Sequence, residues 1–348
     1  MRSPGNRGGD APGERAIVAH IGRRLPAPQP SLIVGVGDDA AVVAPERGAL
    51  QVLTTDAVVE GVHFERHFSS LADVGYKAVA VNASDIAAMG GTPSVALLSL
   101  MLPAGTSMTD IDALLDGALE MAALARVHIV GGNITRSPGP LVVDVAMTGH
   151  VRPRRILTRA GGRPGDALYV TGTIGAAAAG LDWLRHTIET GRTGEIAAND
   201  ETTAAISGCV QRHRRPEPRL RAGALLGRTR AASACMDLSD GLADAVRQIA
   251  EASGTGAVID ATALPIPSAA TRWFVERGRE PVTTALSGGD DYELLFSVKP
   301  KAAGRLRGVV RETRGLPVTR IGELTKDPSV LLNRDGTFEP LPQGFAHF

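Results

Sequence analysis

The 348-residue sequence is poor in cysteine and in aromatic residues, and its formal net charge is zero. Its two cysteines, Cys209 and Cys235, are too few for a disulfide framework and lack zinc-site spacing. Because basic and acidic residues number 37 each, charge gives no reason to expect nucleic acid or a membrane as a partner. No apolar run reaches the ~20 residues that a membrane span needs. These features favour a protein of the reducing cytoplasm.

Aspartate stands out instead, because it is gathered in short segments that also contain glycine, serine or threonine and that contain no lysine or arginine. The segments are Gly37-Asp38-Asp39, Thr54-Thr55-Asp56, Ser84-Asp85, Asp237-Leu238-Ser239-Asp240-Gly241 and Gly288-Gly289-Asp290-Asp291. Mg²⁺ prefers oxygen ligands and is usually held by one or two carboxylates together with substrate phosphates. If the fold brings these segments together, they predict a phosphate-handling enzyme.

Hydrophobic periodicity predicts alternating strands and helices, and therefore an α/β fold with two domains. We expect a disordered tail over residues 1–13, an N-terminal domain over 14–150 and a C-terminal α/β domain over 151–348. Strands are predicted to end at the acidic loops, with Leu50–Leu53 running directly into Thr54-Thr55-Asp56. A short strand, Ile129-Val130, is predicted to precede the glycine pair Gly131-Gly132.

Each motif also has a simpler interpretation. Ser239 or Asp240 could cap the helix that follows them, and the glycine pair before Asn133 could be an ordinary turn. His63 could be a packed side chain, and Arg159 could be a solvated charge, although a guanidinium beside a glycine turn is also a good phosphate ligand. Taken singly, none of these motifs decides between structure and function.

The order of the motifs is more specific than any one of them. G-V-G-D-D-A-A, T-T-D-A-V-V-E-G-V-H-F, K-A-V-A-V-N-A-S-D-I-A-A-M-G, G-G-N, L-T-R-A-G-G-R-P-G-D, D-L-S-D-G-L and S-G-G-D-D-Y-E-L together resemble the thiamine-monophosphate kinase family. The resemblance runs from about Ile33 to Phe348. It implies a two-domain fold like that of aminoimidazole-ribonucleotide synthetase, with an N-terminal four-stranded sheet that pairs with its copy in a homodimer.

The resemblance also implies roles for individual residues. The implied Mg²⁺ ligands are Asp39, Thr54, Thr55, Asp56, Asp85, Asn133, Asp237 and Asp240. The implied ATP-binding residues are Gly132, Asn133, Arg159 and Ser239, and the positions implied to touch thiamine phosphate are His63, Asp290 and Phe345. The implied reaction is ATP-dependent phosphorylation of thiamine monophosphate to thiamine diphosphate, with several Mg²⁺ ions.

The chain departs from the family pattern at Asn133, where aspartate is usual, and at Asp290, where glutamate is usual. An amide oxygen can coordinate Mg²⁺ but brings no charge, so a cation at Asn133 should bind more weakly. We expect no catalytic base, because the accepting phosphate has a second pKa of ~6 and is largely deprotonated near neutral pH.

Alternatives within and beyond the superfamily stay open at this point. A selenophosphate synthetase or a hydrogenase-maturation enzyme should carry a reactive cysteine near a terminus, whereas Cys209 and Cys235 are interior. Aminoimidazole-ribonucleotide synthetase shares the fold and ATP, but His63 and the D-L-S-D-G-L motif favour the kinase. A degenerate, non-catalytic nucleotide-binding protein is the remaining alternative, and Asn133 keeps it open.

Overall fold

The structure is a computed structural model that describes residues 13–27, 29–36, 40–191 and 201–344. The predicted tail, apart from Gly13, and the predicted site residues Asp39 and Phe345 lie outside these ranges. The chain divides into two compact units. The first comprises Met1–Pro45, Thr55–Val79 and Val95–Met147, and the second comprises Glu46–Thr54, Ala80–Ser94 and Thr148–Phe348.

The described residues form ten α-helices and thirteen strands. The helices are α1 Glu14–Arg24, α2 Leu71–Ala88, α3 Met108–Ala125, α4 Ala176–Glu189, α5 Glu201–Arg214, α6 Leu220–Thr229, α7 Leu242–Ser253, α8 Ser268–Glu276, α9 Pro281–Ser287 and α10 Ala303–Glu312. The strands are β1 Leu32–Val34, β2 Val42–Val43, β3 Leu50–Val59, β4 Thr92–Leu102, β5 His128–Arg136, β6 Val142–Val151, β7 Ala167–Thr171, β8 Ala234–Asp237, β9 Gly256–Asp260, β10 Leu294–Val298, β11 Val318–Thr325, β12 Val330–Arg334 and β13 Thr337–Pro340. None of the described helices is long and apolar enough to cross a lipid bilayer.

A four-stranded sheet carries several of the predicted site residues. Its strand order is β3-β6-β4-β5, and β4 runs parallel to β5 with Leu98 opposite Gly132. The expectation that Thr54-Thr55-Asp56 form a loop after a strand is wrong, since all three lie inside β3. The β-branched pair Thr54-Thr55 and the following Val58-Val59 suit a pleated strand, which explains why β3 continues through them.

Helices α2 and α3 approach each other at two glycines. A Cβ on Gly75 would lie 1.9 Å from the Leu114 carbonyl oxygen, and a Cβ on Gly117 would lie 1.7 Å from the Ala72 carbonyl oxygen. No side chain fits in either place, so these glycines allow backbone-to-backbone contact between the helices. Helix α3 begins with a capping box in which Ser107 and Asp110 hydrogen bond to each other's backbone N–H groups.

The second unit contains a seven-stranded sheet with the order β13-β12-β9-β11-β7-β10-β8. The strand pairings of this sheet are antiparallel except that of β12 with β9, which is parallel. Strand β10 is buried along its whole length, and it alternates between two cores: Leu295 packs in one, and Leu294, Phe296 and Val298 pack in the other. Residues of α4, α5, α7, α8 and α9 build the first core, and residues of α6 and α10 build the second. Helices therefore cover both faces of the sheet, as expected for an α/β domain.

Candidate functional site

Asp85 is the centre of one group of predicted site residues in the second unit. It lies near the end of α2, and the hydroxyl of Thr54 on β3 donates a hydrogen bond to its Oδ2. Burial raises the pKa of the Asp85 carboxyl, and the Thr54 hydrogen bond and the positive charge of Arg159 act in the opposite direction. The group is a partly desolvated carboxyl that a nearby cation would stabilise in its charged form.

The neighbouring residue, Ser84, joins this group to the D-L-S-D-G-L motif. The Ser84 hydroxyl donates to Asp237 Oδ2 at 2.7 Å, and both side chains are buried. Since Asp237 is the last residue of β8, this bond brings the end of a strand to the inner face of α2. The two acidic segments, whose bonded residues are 153 positions apart in the sequence, therefore meet.

The segment after Asp237 packs against the second acidic loop. Strand β8 pairs with β10, and the backbone N–H of Asp290 donates to the Ser239 carbonyl at 2.8 Å. A Cβ on Gly289 would lie 2.5 Å from the same carbonyl oxygen, so only glycine allows the two loops to come this close. Helix α7 begins after Gly241, which is its N-cap at φ 92°, so neither Ser239 nor Asp240 occupies the capping position.

Asp290 is held in an uncommon backbone conformation. Its φ is 68°, and that of Tyr292 is 49°, in the left-handed region that non-glycine residues seldom adopt. The Asp290 carboxylate accepts a hydrogen bond from the Tyr292 hydroxyl at 3.2 Å and lies 3.3 Å from Nδ1 of the buried His213. Conformations of this kind persist where the surroundings impose them, and they cluster at functional sites.

Two buried acids beneath this loop were assigned no role from the sequence, although Asp291 belongs to the acidic segment Gly288-Gly289-Asp290-Asp291. Asp291 accepts hydrogen bonds from the backbone N–H groups of Gly175 and Ala177 at the start of α4, at 2.7 and 3.2 Å. Burial raises its pKa to about 7, against the lowering effect of those two bonds. The second acid, Glu293, is fully buried. The alternation of acidic and apolar residues in D-D-Y-E-L was the only available signal for them.

Glu293 is bound by several donors. The Thr171 hydroxyl donates to it at 2.7 Å, Nε of Arg219 donates at 2.6 Å, and Arg212 forms a further ion pair with it. The Arg212 side chain is only 20% exposed, so this ion pair is largely shielded from solvent. This network holds Glu293 directly before β10, and it thereby stabilises the loop that contains Asp290.

Arg159 lies on a turn that only glycine permits. The next glycine, Gly161, has φ 112°, and a Cβ there would meet the Ser233 carbonyl oxygen at 2.6 Å. The Arg159 guanidinium donates to Oε1 of Gln248 on α7, and its charge acts on Asp85. Arg159 is thus an exposed cation that acts on a partly buried carboxyl, which is a suitable position for a phosphate ligand.

The end of the described chain also reaches this region. Arg247 on α7 donates to the carbonyl of Pro342 at 2.7 Å, and Gly344 lies so near to Asp240 that a Cβ on it would be 2.9 Å from the Asp240 carbonyl oxygen. The predicted substrate residue Phe345 follows Gly344 directly, outside the described residues.

The first unit carries the remaining predicted residues. Thr55 and Thr54 point to opposite faces of β3, as strand geometry requires, and the Thr55 hydroxyl donates to Asp144 on β6 at 3.1 Å. Asp144 was not predicted, although a single acid within the apolar strand V-V-D-V-A-M was a usable signal. Asp56 follows on β3 and is exposed.

His63 lies in the turn after β3. The Val59 N–H donates to its Nδ1 at 3.1 Å, so the neutral ring carries its proton on Nε2. The ammonium group of Lys77, a buried side chain of α2, donates to the His63 carbonyl at 3.1 Å. The turn and the helix thus fix the orientation of the ring.

Gly132 and Asn133 lie inside β5, so the strand predicted at Ile129-Val130 continues through the glycine pair, and the alternative of an ordinary turn there is wrong. A Cβ on Gly132 would be 1.8 Å from the Leu98 carbonyl oxygen of the paired strand β4. The glycine is therefore required by close strand pairing. Asn133 is exposed on the same strand.

The donor set fits Mg²⁺ better than a metal that needs a complete protein cage. Within the described ranges, no three His, Cys, Asp or Glu side chains come close enough to hold a metal ion by themselves. The second unit instead offers the carboxyls of Asp85 and Asp237 with the hydroxyls of Thr54 and Ser84. Mg²⁺ commonly takes one or two carboxylates and completes its shell with water and substrate phosphates, which agrees with this set.

The fold and these acidic loops define the class of protein. The model of the "AIR synthase related protein, N-terminal domain" matches residues 37–151, and that of the corresponding C-terminal domain matches residues 163–333. The chain therefore has the two domains of the aminoimidazole-ribonucleotide-synthetase-like class, as predicted.

Particular relatives define the family within that class. The thiamine-monophosphate kinase of Bacillus subtilis is 37% identical over 326 residues, which is 91% of this chain and 94% of the relative. A crystal structure of thiamine-monophosphate kinase from Stenotrophomonas maltophilia has a TM-score of 0.77 and 34% identity, covering 92% of this chain and 95% of that one. A second structure, "AaThiL complexed with AMPPCP and TMP", has a TM-score of 0.74 and 31% identity, covering 97% of each chain. The chain belongs to the thiamine-monophosphate kinase family.

Proposed function

We propose that the protein transfers the γ-phosphoryl group of ATP directly to the phosphate of thiamine monophosphate, forming thiamine diphosphate and ADP. The observation that carries this proposal is the full-length similarity to kinases of that name, joined to a relative solved with AMPPCP and TMP. The meeting of Asp85, Ser84 and Asp237 supports it, because phosphoryl transfer needs acidic ligands gathered at one place.

We propose that Mg²⁺ is held by oxygens of the acidic segments. The ligands would be Asp39, Thr54, Thr55, Asp56, Asp85, Asn133, Asp237 and Asp240. When bound, Mg²⁺ would offset the repulsion between two polyanions and stabilise the charge that develops during transfer. The amide of Asn133 contributes no charge, so Asp144, which already contacts Thr55, is a carboxylate that could compensate for it.

The chain's own groups bind and orient the two substrates in this proposal. Gly132, Asn133, Arg159 and Ser239 would bind ATP, with the Arg159 guanidinium on a phosphate. His63, Asp290 and Phe345 would contact thiamine phosphate. Because Nδ1 of His63 accepts a hydrogen bond from the Val59 N–H, the Nε2–H is the ring group that would contact the substrate. No side chain is assigned as a base, because the accepting phosphate oxygen is already deprotonated near neutral pH.

Asp290 is one methylene shorter than the glutamate that is usual in the family. Its left-handed backbone and its contacts with Tyr292 and His213 hold the carboxylate in place. We propose that this loop geometry sets where the shorter acid reaches the substrate.

The proposal extends to assembly, location and domain limits. We propose a homodimer formed through the four-stranded sheet, and the exposed apolar side chains of Leu53 on β3 and Leu97 on β4 support it, since a second copy would bury them. Light scattering during size exclusion tests this.

We propose a cytoplasmic reaction, because ATP is its co-substrate, and we propose 14–150 and 151–348 as the domain limits.

The test is product formation by purified protein with ATP, Mg²⁺ and thiamine monophosphate, with free thiamine as the control substrate. Asp85→Ala should abolish thiamine diphosphate formation while leaving thermal unfolding nearly unchanged, because Asp85 is only partly buried and the Thr54 hydroxyl that donates to it is a neutral group. Glu251→Ala, which removes an exposed acid from α7, is the matched control and should keep full activity. Near-normal kcat of Asp85→Ala at low Mg²⁺ would remove Asp85 from the scheme, and ATP binding without any product would favour a non-catalytic protein.

A further inference from the structure

A second concave site in the second unit is lined by cations. It is a cavity of about 380 Å³ whose charged lining residues are Arg230, Lys299, Lys301 and Arg305, with Ser233 at its base. We call it the basic cleft. Its volume lies within the usual range for small-molecule sites, roughly 300–1,000 Å³.

Two separate chain segments supply these cations, the end of α6 and residues 299–305. Arg230 is the left-handed C-cap of α6, with φ 54°. Lys299 directly follows β10, Lys301 lies in the 3₁₀ turn Pro300–Ala302, and Arg305 belongs to the first turns of α10. The Arg305 guanidinium donates to the Arg230 carbonyl at 3.2 Å, which ties α10 to the end of α6. The tertiary fold therefore brings Arg230 to the other three cations, which lie close together in the sequence.

The basic cleft has no compensating carboxylate in its lining. Ser233, which lines the cleft, donates its hydroxyl to the buried carboxylate of Asp166 at 2.7 Å. That carboxylate also accepts the Arg163 N–H at 3.1 Å. Across the part of the chain that the structure describes, Arg230, Lys299 and Lys301 form no ion pair with an acidic side chain. Four like charges around one cavity repel each other, and an anion bound among them would remove that cost.

The basic cleft lies away from the acidic loops. Ser233 immediately precedes β8, whereas Asp237 ends it, and Lys299 immediately follows β10, whereas Asp290 precedes it. Since β8 and β10 are antiparallel neighbours, the two sites are at opposite ends of the same strand pair, about 13 Å apart along it. The basic cleft is therefore separate from the proposed phosphoryl-transfer site.

We propose that the basic cleft binds a small molecule that carries two or more linked phosphate groups. Each phosphate group carries a charge of about −1.5 to −2 at neutral pH, so two of them balance most of the charge of four cations. Two lysines act as flexible point charges, and two arginines offer planar pairs of N–H donors, a combination suited to adjacent phosphates. The cavity leaves room for an organic group beyond the phosphates.

Calorimetric titration with inorganic diphosphate tests the proposal. The titration is done in EDTA, because without divalent cations the acidic loops repel diphosphate and the basic cleft is then the favourable site. The wild-type protein should bind diphosphate with an affinity that falls as salt is raised. Lys301→Ala/Arg305→Ala should bind it about tenfold more weakly or worse, since two charge-assisted contacts are lost.

Arg307→Ala/Arg311→Ala is the matched control, because it removes two exposed cations from the same helix α10 that do not line the basic cleft. This control and Asp85→Ala should both bind diphosphate as the wild type does, and Lys301→Ala/Arg305→Ala should keep its kinase activity with Mg²⁺. The single variant Lys301→Gln, expected to weaken binding less, covers a loss of folding in the double variant. No binding by the wild type, equal binding by the cleft variant and the control, or loss of binding in Asp85→Ala would each overturn the proposal.

Discussion

The buried carboxylate of Glu293 provides the sharpest test of how the acidic loop is supported. Glu293→Gln removes one negative charge while keeping the size of the side chain. The arginines that it pairs with, Arg212 and Arg219, are only 20% and 11% exposed, so their charges would stay desolvated. Burial alone would lower the pKa of the Arg219 guanidinium, but its hydrogen bond to Glu293 and the negative charges of Glu293 and Glu217 raise it.

The magnitude follows from this geometry. Breaking a buried ion pair by removing one partner costs about 3–5 kcal/mol. Glu217 also lies 2.8 Å from Arg219, but it is 68% exposed and compensates only in part. We therefore expect the low end, a loss of about 3 kcal/mol in the free energy of unfolding. For a domain of this size each kcal/mol shifts Tm by about 2–4 °C, so Tm should fall by roughly 6–12 °C.

Urea unfolding measures the effect, since a loss of stability lowers the midpoint without changing the slope. Glu312→Gln is the matched control, because its pair with Arg228 has the same chemistry with both side chains about half exposed. An exposed pair contributes about 0–1 kcal/mol, so the control should be nearly neutral. If Glu293→Gln were as mild as Glu312→Gln, the argument that burial makes this network essential would be refuted.

Further predictions concern the site and its frame. Ser84→Ala should raise the Mg²⁺ concentration needed for activity and lower kcat/KM about tenfold, because it removes a charge-assisted bond to Asp237; an unchanged Mg²⁺ titration would contradict this. Burial raises the pKa of Asp291 to about 7, so its contribution to stability is greatest below its unfolded pKa of ~3.9 and is lost as the pH rises to about 7. Between pH 4 and 7 the free energy of unfolding of Asp291→Asn should therefore decline less than that of the wild type, by up to about 4 kcal/mol. Urea unfolding at a series of pH values measures this, and parallel pH dependences of the two proteins would count against the prediction. Gly132→Ala should lower the free energy of unfolding by ~2 kcal/mol or more, because its Cβ would lie 1.8 Å from the paired strand, whereas Gly139→Ala, with open space around it, should be tolerated in thermal unfolding.

The sequence predicted local structure well where one pattern dominates. The strand predicted over Leu50–Leu53 lies within β3, and the strand predicted at Ile129-Val130 lies within β5. It failed at Thr54-Thr55-Asp56 and at Gly131-Gly132, where acidic and glycine residues were interpreted as loops. Both segments are strands, because pairing with β6 and β4 outweighs the local preference of single residues.

For the candidate site, too, the sequence predicted some features and the tertiary structure decided others. Aspartates grouped with glycine and hydroxyl residues predict a Mg²⁺-dependent phosphate chemistry, because the ligand preference of the ion depends on residue type. The bond from Ser84 to Asp237, the network around Glu293 and the convergence of Arg230 with Lys301 were decided by the tertiary structure alone. Composition and order along the chain fix which chemical groups are available. Which of them meet depends on strand pairing and helix packing between residues far apart in sequence, and no local pattern encodes those distances.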